Sequence, residues 1–370
     1  MRLSSSQFIS SIMRLSKSEK LKLECLNHEI VSCNMNLDKF IIGLWRSAKY
    51  FLAIVLFLSI FDGFHWKYNV TTILLGFCIC LHGFSKKYKI LPIFKAIDEM
   101  DIALITGGSR GLGLEIAKEL ILQKKIGKVI ILDIISPEFQ FIDKDLSKIE
   151  YHKCDVGNRR ELQFVIEKVI ENLNNQKKNI SICINNAGIR HNESLLSLSQ
   201  EKIDSIFNVN TMSHILVLKA ILKNHVEEVI PRELTNNNLF IVSVSSILGT
   251  LAPKNLSIYS ASKAAIIQIH EALTQEVSHL PMIRLLLVTT GQLTTSMFGD
   301  VIPPMKFLAP VVNHIDLAKD VVCKIEKGEK GVLCAPLYAN FLPIVKCLPI
   351  FMQDYCRWFS GIDTQIKENQ

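Results

Sequence analysis

Several features are missing from this chain of 370 residues, and each absence removes a class of function. Its ten cysteines form no Cys-x-x-Cys pair, and no His/Cys cluster has the spacing of metal ligands. No metal site is therefore expected, and the cysteines read as reduced thiols packed as small hydrophobes in a cytosol-facing protein. No basic patch is interleaved with aromatics, so the net charge of +7 implies no nucleic-acid partner. Residues 1–48 lack the charged head, apolar core and cleavage site of a secretory signal. A mitochondrial presequence is the alternative there, because Arg2 and Arg14 lie among serines with no acid before Glu19. No apolar run reaches the roughly 20 residues that a straight membrane-spanning helix prefers.

What is present is apolar and unevenly spread. Hydrophobic residues make up 49% and mean hydropathy is +0.26. The excess lies in two runs before residue 90 and one patch after residue 330. Tyr50 to Phe64 and Val70 to Phe84 are the two runs, joined by His65-Trp-Lys-Tyr-Asn69 with its interfacial aromatics. Arg46 and Lys49 precede them; Lys86, Lys87 and Lys89 follow. Cations favour the cytosolic side, so this pattern predicts a helical hairpin that dips into a membrane and returns. One true span plus one interfacial segment is the alternative. After Gly331 three prolines (Pro336, Pro343, Pro349) prevent a long spanning helix. Apolar bulk with Tyr338, Lys346, Tyr355, Arg357 and Trp358 suggests segments at a membrane interface or closing over a greasy pocket. Ordinary packing on the domain is the plainer reading of that tail.

From about residue 98 short β-branched runs alternate with helical stretches. Ile102–Thr106, Lys128–Asp133, Glu150–Cys154, Ile180–Ile184, Leu239–Val244 and Ile283–Val288 read as strands. Their continuous apolar character means that both faces are covered, which points to a parallel sheet flanked by helices. The expected fold is α/β: a Rossmann-type doubly wound parallel sheet with an N-terminal membrane-anchoring helical segment. The expected organisation is a cytosolic segment at 1–48, an anchor at 49–90, the α/β domain at 98–330 and the apolar tail at 331–370.

The first strand runs into Thr106-Gly-Gly-Ser-Arg-Gly-Leu-Gly113 and then a helix at Leu114 to Gln123. Gly107, Gly111 and Gly113 let the backbone turn tightly and approach a pyrophosphate, to which the helix N-terminus offers free N–H groups. Thr106, Ser109, Arg110 and Leu112 complete that cofactor turn. Asp133 ends the second strand, about 20 residues on, where a carboxylate accepts hydrogen bonds from ribose hydroxyls and repels a 2′-phosphate. NAD is the expected cofactor; Arg110, inside the turn, is the argument for NADP. Tyr259-Ser-Ala-Ser-Lys263 places a phenol and an ammonium four residues apart on one helix face. The lysine charge is expected to lower the tyrosine pKa from about 10, and a serine such as Ser246 would orient a substrate oxygen. These groups suit proton transfer on the oxygen of a carbinol or carbonyl.

Together, the glycine turn, Asn185-Asn-Ala-Gly188 and Tyr-x-x-x-Lys resemble the short-chain dehydrogenase/reductase family over about residues 98–300. The resemblance implies that Asp155, followed by Val156, holds the adenine amino group. It implies that Asn186, Ala187 and Gly188 steady the central strand beside the cofactor. Asn210, Ser246, Tyr259 and Lys263 match the catalytic tetrad, with Asn210 holding a water in a proton relay and Lys263 bonding the nicotinamide ribose. Ser246 rather than Ser245 has the family's spacing to the tyrosine. Gly291 and Thr295 match a cofactor loop, although Thr290 stands where the family often has proline. The layout is similar to the membrane-associated retinol and hydroxysteroid dehydrogenases of the endoplasmic reticulum and lipid droplets. That implies a lipophilic small-molecule substrate, a membrane-lipid partner and a catalytic domain facing the cytosol. Helices at Glu201–Glu228 and Ser257–His279 carry apolar faces compatible with homodimer pairing and equally with core packing.

Overall fold

The computed structural model describes residues 96–365 except 138–146, 233–236, 302 and 304–308. The two apolar runs and the segment before them lie outside the described residues.

Seven parallel strands form one sheet in the order β3-β2-β1-β4-β5-β6-β7. They are β1 (Ile102–Thr106), β2 (Lys128–Asp133), β3 (Ile149–Lys153), β4 (Ile182–Asn185), β5 (Leu239–Ser246), β6 (Ile283–Thr290) and β7 (Gly331–Ala335). The chain winds outward from β1 to β3, then returns to lay β4 against the other side of β1. The reversal opens a crevice beyond the carboxyl ends of β1 and β4, where such sheets bind ligands.

Successive strand side chains point to opposite faces, and the core follows that alternation. Ala103 and Ile105 pack with α1 (Gly111–Leu122) and α5 (His314–Glu326) on one face. Ile102 and Leu104 pack on the other with α2 (Arg159–Asn175) and the long helix α3 (Gln200–Val229). Helix α4 (Ser257–Glu276) joins α2 and α3 on that side. Helix α3 is apolar and long enough to cross a membrane by composition, yet Val217, Leu218 and Ile221 are buried in that core. Side-chain caps start the helices where the sequence offers them: Asn158 Oδ1 accepts from Glu161 N–H at 3.3 Å and Asn313 Oδ1 from Ile315 N–H at 2.9 Å.

Two differences from the sequence expectation matter for the site. Strands β5 and β6 run two residues further, to Ser246 and Thr290, and these pair with each other. That extension carries Ser246 to the carboxyl edge of the sheet. The α/β domain also does not stop at residue 330. Gly331–Ala335 is the edge strand β7, in register from Leu286↔Gly331 to Thr290↔Ala335. The tail continues as a short helix α6 (Leu342–Lys346), with Pro343 in its first turn, and as α7 (Ile350–Ser360) after Pro349. Proline is tolerated at these positions because the first helical N–H groups have no partner inside the helix.

Candidate active site

The glycine turn is built by backbone necessity. Gly107 and Gly111 have φ of +63° and +56°, a region that disfavours side chains. A Cβ on Gly113 would stand 2.3 Å from the Gly107 carbonyl oxygen. Helix α1 then opens with no side-chain cap and no acid in its first turn, so its free N–H groups and positive end suit an anion. The Asn-Asn-Ala-Gly turn is tied to this one. Thr106 Oγ accepts from the N–H groups of Asn186 and Ala187 at 3.1 and 3.2 Å, and Asn186 Nδ2 donates to the Gly107 carbonyl at 2.8 Å.

Asp133 is buried at the end of β2, and its Oδ2 accepts from Ser109 N–H at 3.0 Å. The carboxylate is thereby fixed beside the glycine turn, facing a cleft of about 730 Å³. Arg110 is exposed on the same cleft. Asp155 and Val156 line it at the end of β3, with Asp155 Oδ1 held by Gly157 N–H at 2.8 Å. Across the cleft, Thr295 lies so close that a Cβ on Gly111 would be 3.2 Å from its methyl. The loop bearing Thr295 needs no proline at 290, because β6 is paired on both sides there and Gly291 N–H donates to Ala335 O at 2.6 Å.

The four tetrad positions converge from three elements. Ser246, Tyr259 and Lys263 line the cleft, and Asn210 lies behind it, fully buried in a π turn of α3. Ser246 Oγ accepts from Leu248 N–H at 3.1 Å, faces the Thr290 carbonyl at 3.3 Å and hydrogen-bonds Tyr259. A Cβ on Gly188 would stand 3.4 Å from Lys263 Nζ and 3.5 Å from Asn210 Oδ1, so this glycine sits over both. Thr106, Ser109, Gly113 and Asn210 thus act from behind the cleft wall, whereas Gly107, Leu112, Asn186, Ala187, Gly188 and Gly291 form part of it.

The surroundings of Tyr259 and Asn210 add to what the sequence led one to expect. Burial pushes the Tyr259 hydroxyl up to about 12, and the groups that pull it back are Ser246, by its hydrogen bond, and Arg190, by its charge. Lys263 is not among them. Burial lowers Lys263 itself to about 8, and its ammonium donates to the Val244 carbonyl at 3.2 Å. The Asn210 amide, expected to carry a water, is engaged by protein. Its Oδ1 accepts from Ile189 N–H at 2.8 Å; its Nδ2 donates to the Ile189 carbonyl and to Ser262 Oγ, both at 3.0 Å. Both amide protons are committed to pinning the loop after Gly188 against α4, which leaves a relay only the second lone pair of Oδ1. The motif reading passed over Arg190, Asn192 and Asp300. A lone arginine two residues past the Asn-Asn-Ala-Gly turn was the only sequence signal for them.

The residues fit a dinucleotide: a side-chain-free turn at an uncapped helix end, a fixed carboxylate at the end of β2, and a phenol and an ammonium farther along the same cleft. Comparison with known proteins agrees. Residues 101–305 match the family model described as short chain dehydrogenase. Two uncharacterized oxidoreductases of Saccharomyces cerevisiae are similar: one 34% identical over 70% of this chain and 82% of its own, the other 30% identical over 84% and 92%. Estradiol 17-beta-dehydrogenase 11 of Macaca fascicularis is 27% identical over 72% of this chain and 84% of its own. Among solved structures, a short-chain dehydrogenase from Streptomyces avermitilis superposes with a TM-score of 0.54 at 19% identity, covering 71% of this chain and 98% of that one.

Proposed function

The chain belongs to the short-chain dehydrogenase family and is an NAD(P)-dependent dehydrogenase/reductase, and on that premise we propose that it acts at a membrane, on a lipophilic alcohol or ketone, with NAD preferred. The observation that carries the reaction is the convergence of Ser246, Tyr259 and Lys263 on one cleft with the glycine turn. A bound nicotinamide cofactor supplies or accepts the hydride at the carbinol carbon. The chain's own residues handle the oxygen. Tyr259 gives or takes its proton, and Ser246, bonded to that phenol, orients it. Lys263, four residues on along the same helix and lining the same cleft, would hold the nicotinamide ribose. Asp133 supports NAD, since a phosphate dianion beside a fixed carboxylate is a like-charge clash.

Helix α7 supports the membrane. None of its residues is buried, and Ile350, Phe351, Tyr355, Trp358 and Phe359 are exposed, with Tyr355 against both Trp358 and Phe359. Phe351, Tyr355 and Trp358 follow one another at spacings of four and three residues, with Ile350 and Phe359 adjoining, which gathers them on one side of the helix. Amphipathic aromatics of this kind settle at the level of lipid headgroups. Arg357 ties the helix to the domain through Asp363 at 2.7 Å and the Ala252 carbonyl at 2.9 Å. The proposed location is a membrane facing the cytosol, that of the endoplasmic reticulum or a lipid droplet ahead of a mitochondrial one. The similarity to an estradiol dehydrogenase and the apolar cleft residues Leu293, Met297 and Phe298 support a greasy substrate. An NADPH-dependent ketone reductase is the second reading, favoured by Arg110 on the cleft.

The test is turnover by the detergent-solubilised chain with NAD or NADP and a panel of retinoid, steroid and long-chain alcohols, and with NADH or NADPH and the matching ketones. Oxidation of a lipophilic alcohol with NAD is expected. Turnover confined to NADPH and a ketone establishes the second reading instead.

A further inference from the structure

The loop after β4 carries a cation that the tetrad does not use. Arg190 lies two residues beyond Gly188, and its side chain is only 10% exposed. Its fork is divided among three acceptors. Nε donates to the Met297 carbonyl, Nη1 to Asn192 Oδ1, and Nη2 pairs with the Asp300 carboxylate. Asn192 Nδ2 donates to the second oxygen of that carboxylate at 3.2 Å, which closes the set. The guanidinium also lies 4.3 Å over the ring centroid of Phe298. Phe298 in turn stands edge-on to the Tyr259 ring, with centroids 5.8 Å apart.

One side chain therefore joins two loops more than 100 residues apart in sequence and presses an aromatic ring onto the tyrosine. An anion receptor is a poor description of it. Its charge is already paired, and an anionic substrate group would meet Asp300. An arginine whose fork reaches three acceptors on two loops, one of them a carboxylate, is instead well suited to fixing a loop.

We propose that Arg190, paired with Asp300, is the latch of the active site: it holds the segment Ser296–Asp300 against the cleft, seats Phe298 on Tyr259, and so positions the tyrosine. This rests on the dehydrogenase reading given above. Because the latch is charged, it also bears on the acid–base step. The titratable groups around this part of the cleft are Lys263 on the tyrosine's own helix, Arg190 and His191 on the loop after β4, and Asp300 and His314 after β6. Of these, Arg190 is the one whose charge favours the phenolate. Asp300 opposes it by neutralising Arg190.

The experiment compares the full chain in detergent with Arg190→Met, Arg190→Lys and Asp300→Asn. Amide exchange of residues 296–300 reads the latch without any turnover. Arg190→Met and Asp300→Asn should each exchange there about ten- to a hundredfold faster, the equivalent of one lost charged hydrogen bond. The kinetic probe is 2-dodecanol with NAD. In oxidation Tyr259 acts as base, so kcat/KM rises with pH as it deprotonates. Arg190→Met should move that rise to higher pH. Asp300→Asn bares the cation and should move it to lower pH, while both raise KM. Arg190→Lys should keep the pH of the rise and lose affinity. A merely structural contact would move both limbs in the same direction, and that result, or unchanged exchange in both variants, overturns the proposal. Faster exchange in both variants, with wild type turning over neither 2-dodecanol nor the wider panel, counts against the dehydrogenase reading while the latch stands.

Discussion

Burial alone would make Tyr259 a poor base, and the residues that offset burial were not equally visible. Ser246 could be read from its distance to the tyrosine in sequence. Arg190 could not, because its effect depends on a fold that brings the loops after β4 and β6 together. The glycines were legible for a simpler reason: they are required by backbone geometry within a few residues of one another. Lys263 was legible as a position and not as a charge, since only the structure shows how far burial lowers it. Ser246→Ala should lower kcat/KM by about 10² or more, in steady-state kinetics, by removing the hydroxyl that orients the substrate oxygen and hydrogen-bonds the phenol. Asp133→Ser removes the fixed carboxylate beside Arg110. It should shift the ratio of kcat/KM for NAD over NADP toward NADP by about tenfold or more, since one like-charge contact is worth several kcal/mol. An unchanged ratio would mean that Asp133 does not face the ribose.

Five of the seven strands are largely apolar runs bounded by polar turns, and β3 (Ile-Glu-Tyr-His-Lys) was readable only from its place in the strand-helix alternation. The seventh was hidden. Gly331–Ala335 is short, lies at the sheet edge with Val332 exposed, and merges in sequence with the proline-broken apolar tail. Its pairing partner on β6 is about 45 residues away, beyond the range of any local pattern. Helix α7 shows the opposite balance. Its apolar bulk was legible, but only the structure shows a helix there that the domain leaves uncovered. If lipid covers it, Phe351→Asp with Trp358→Asp should measurably reduce co-flotation of the full chain with phospholipid vesicles. NADH binding should be unchanged, because the helix is outside the cleft. Equal flotation of the variant and the parent would remove α7 from the membrane account.

Three buried histidines tie the whole molecule to pH, and burial lowers His225 below its ordinary value along with the other two. Burial lowers His214 to about 3 and His270 to about 4 from an ordinary value of 6.5. The unfolded chain therefore binds more protons than the folded one between those limits. Stability is full above 6.5 and is lost as pH falls through the window, by on the order of a few kcal/mol. Urea midpoints measured from pH 7 down to pH 4 should fall accordingly, and His270→Leu should flatten the slope. A midpoint that stays level across this range would contradict the burial described for these rings. The fold class itself was legible at this scale from strand-helix alternation. The pairing of the glycine turn with the Asn-Asn-Ala-Gly turn, and the cleft between them, exist only once β1 and β4 lie side by side. The central claim is that this cleft moves a hydride to or from a lipophilic substrate with Tyr259 as its acid–base group. The most direct measurement is NADH fluorescence of the detergent-solubilised chain, wild type beside Tyr259→Phe, with binding and turnover read in the same samples. The expected result is equal NADH binding with turnover lost by at least about 10² in the variant. Equal turnover in both proteins would contradict the account.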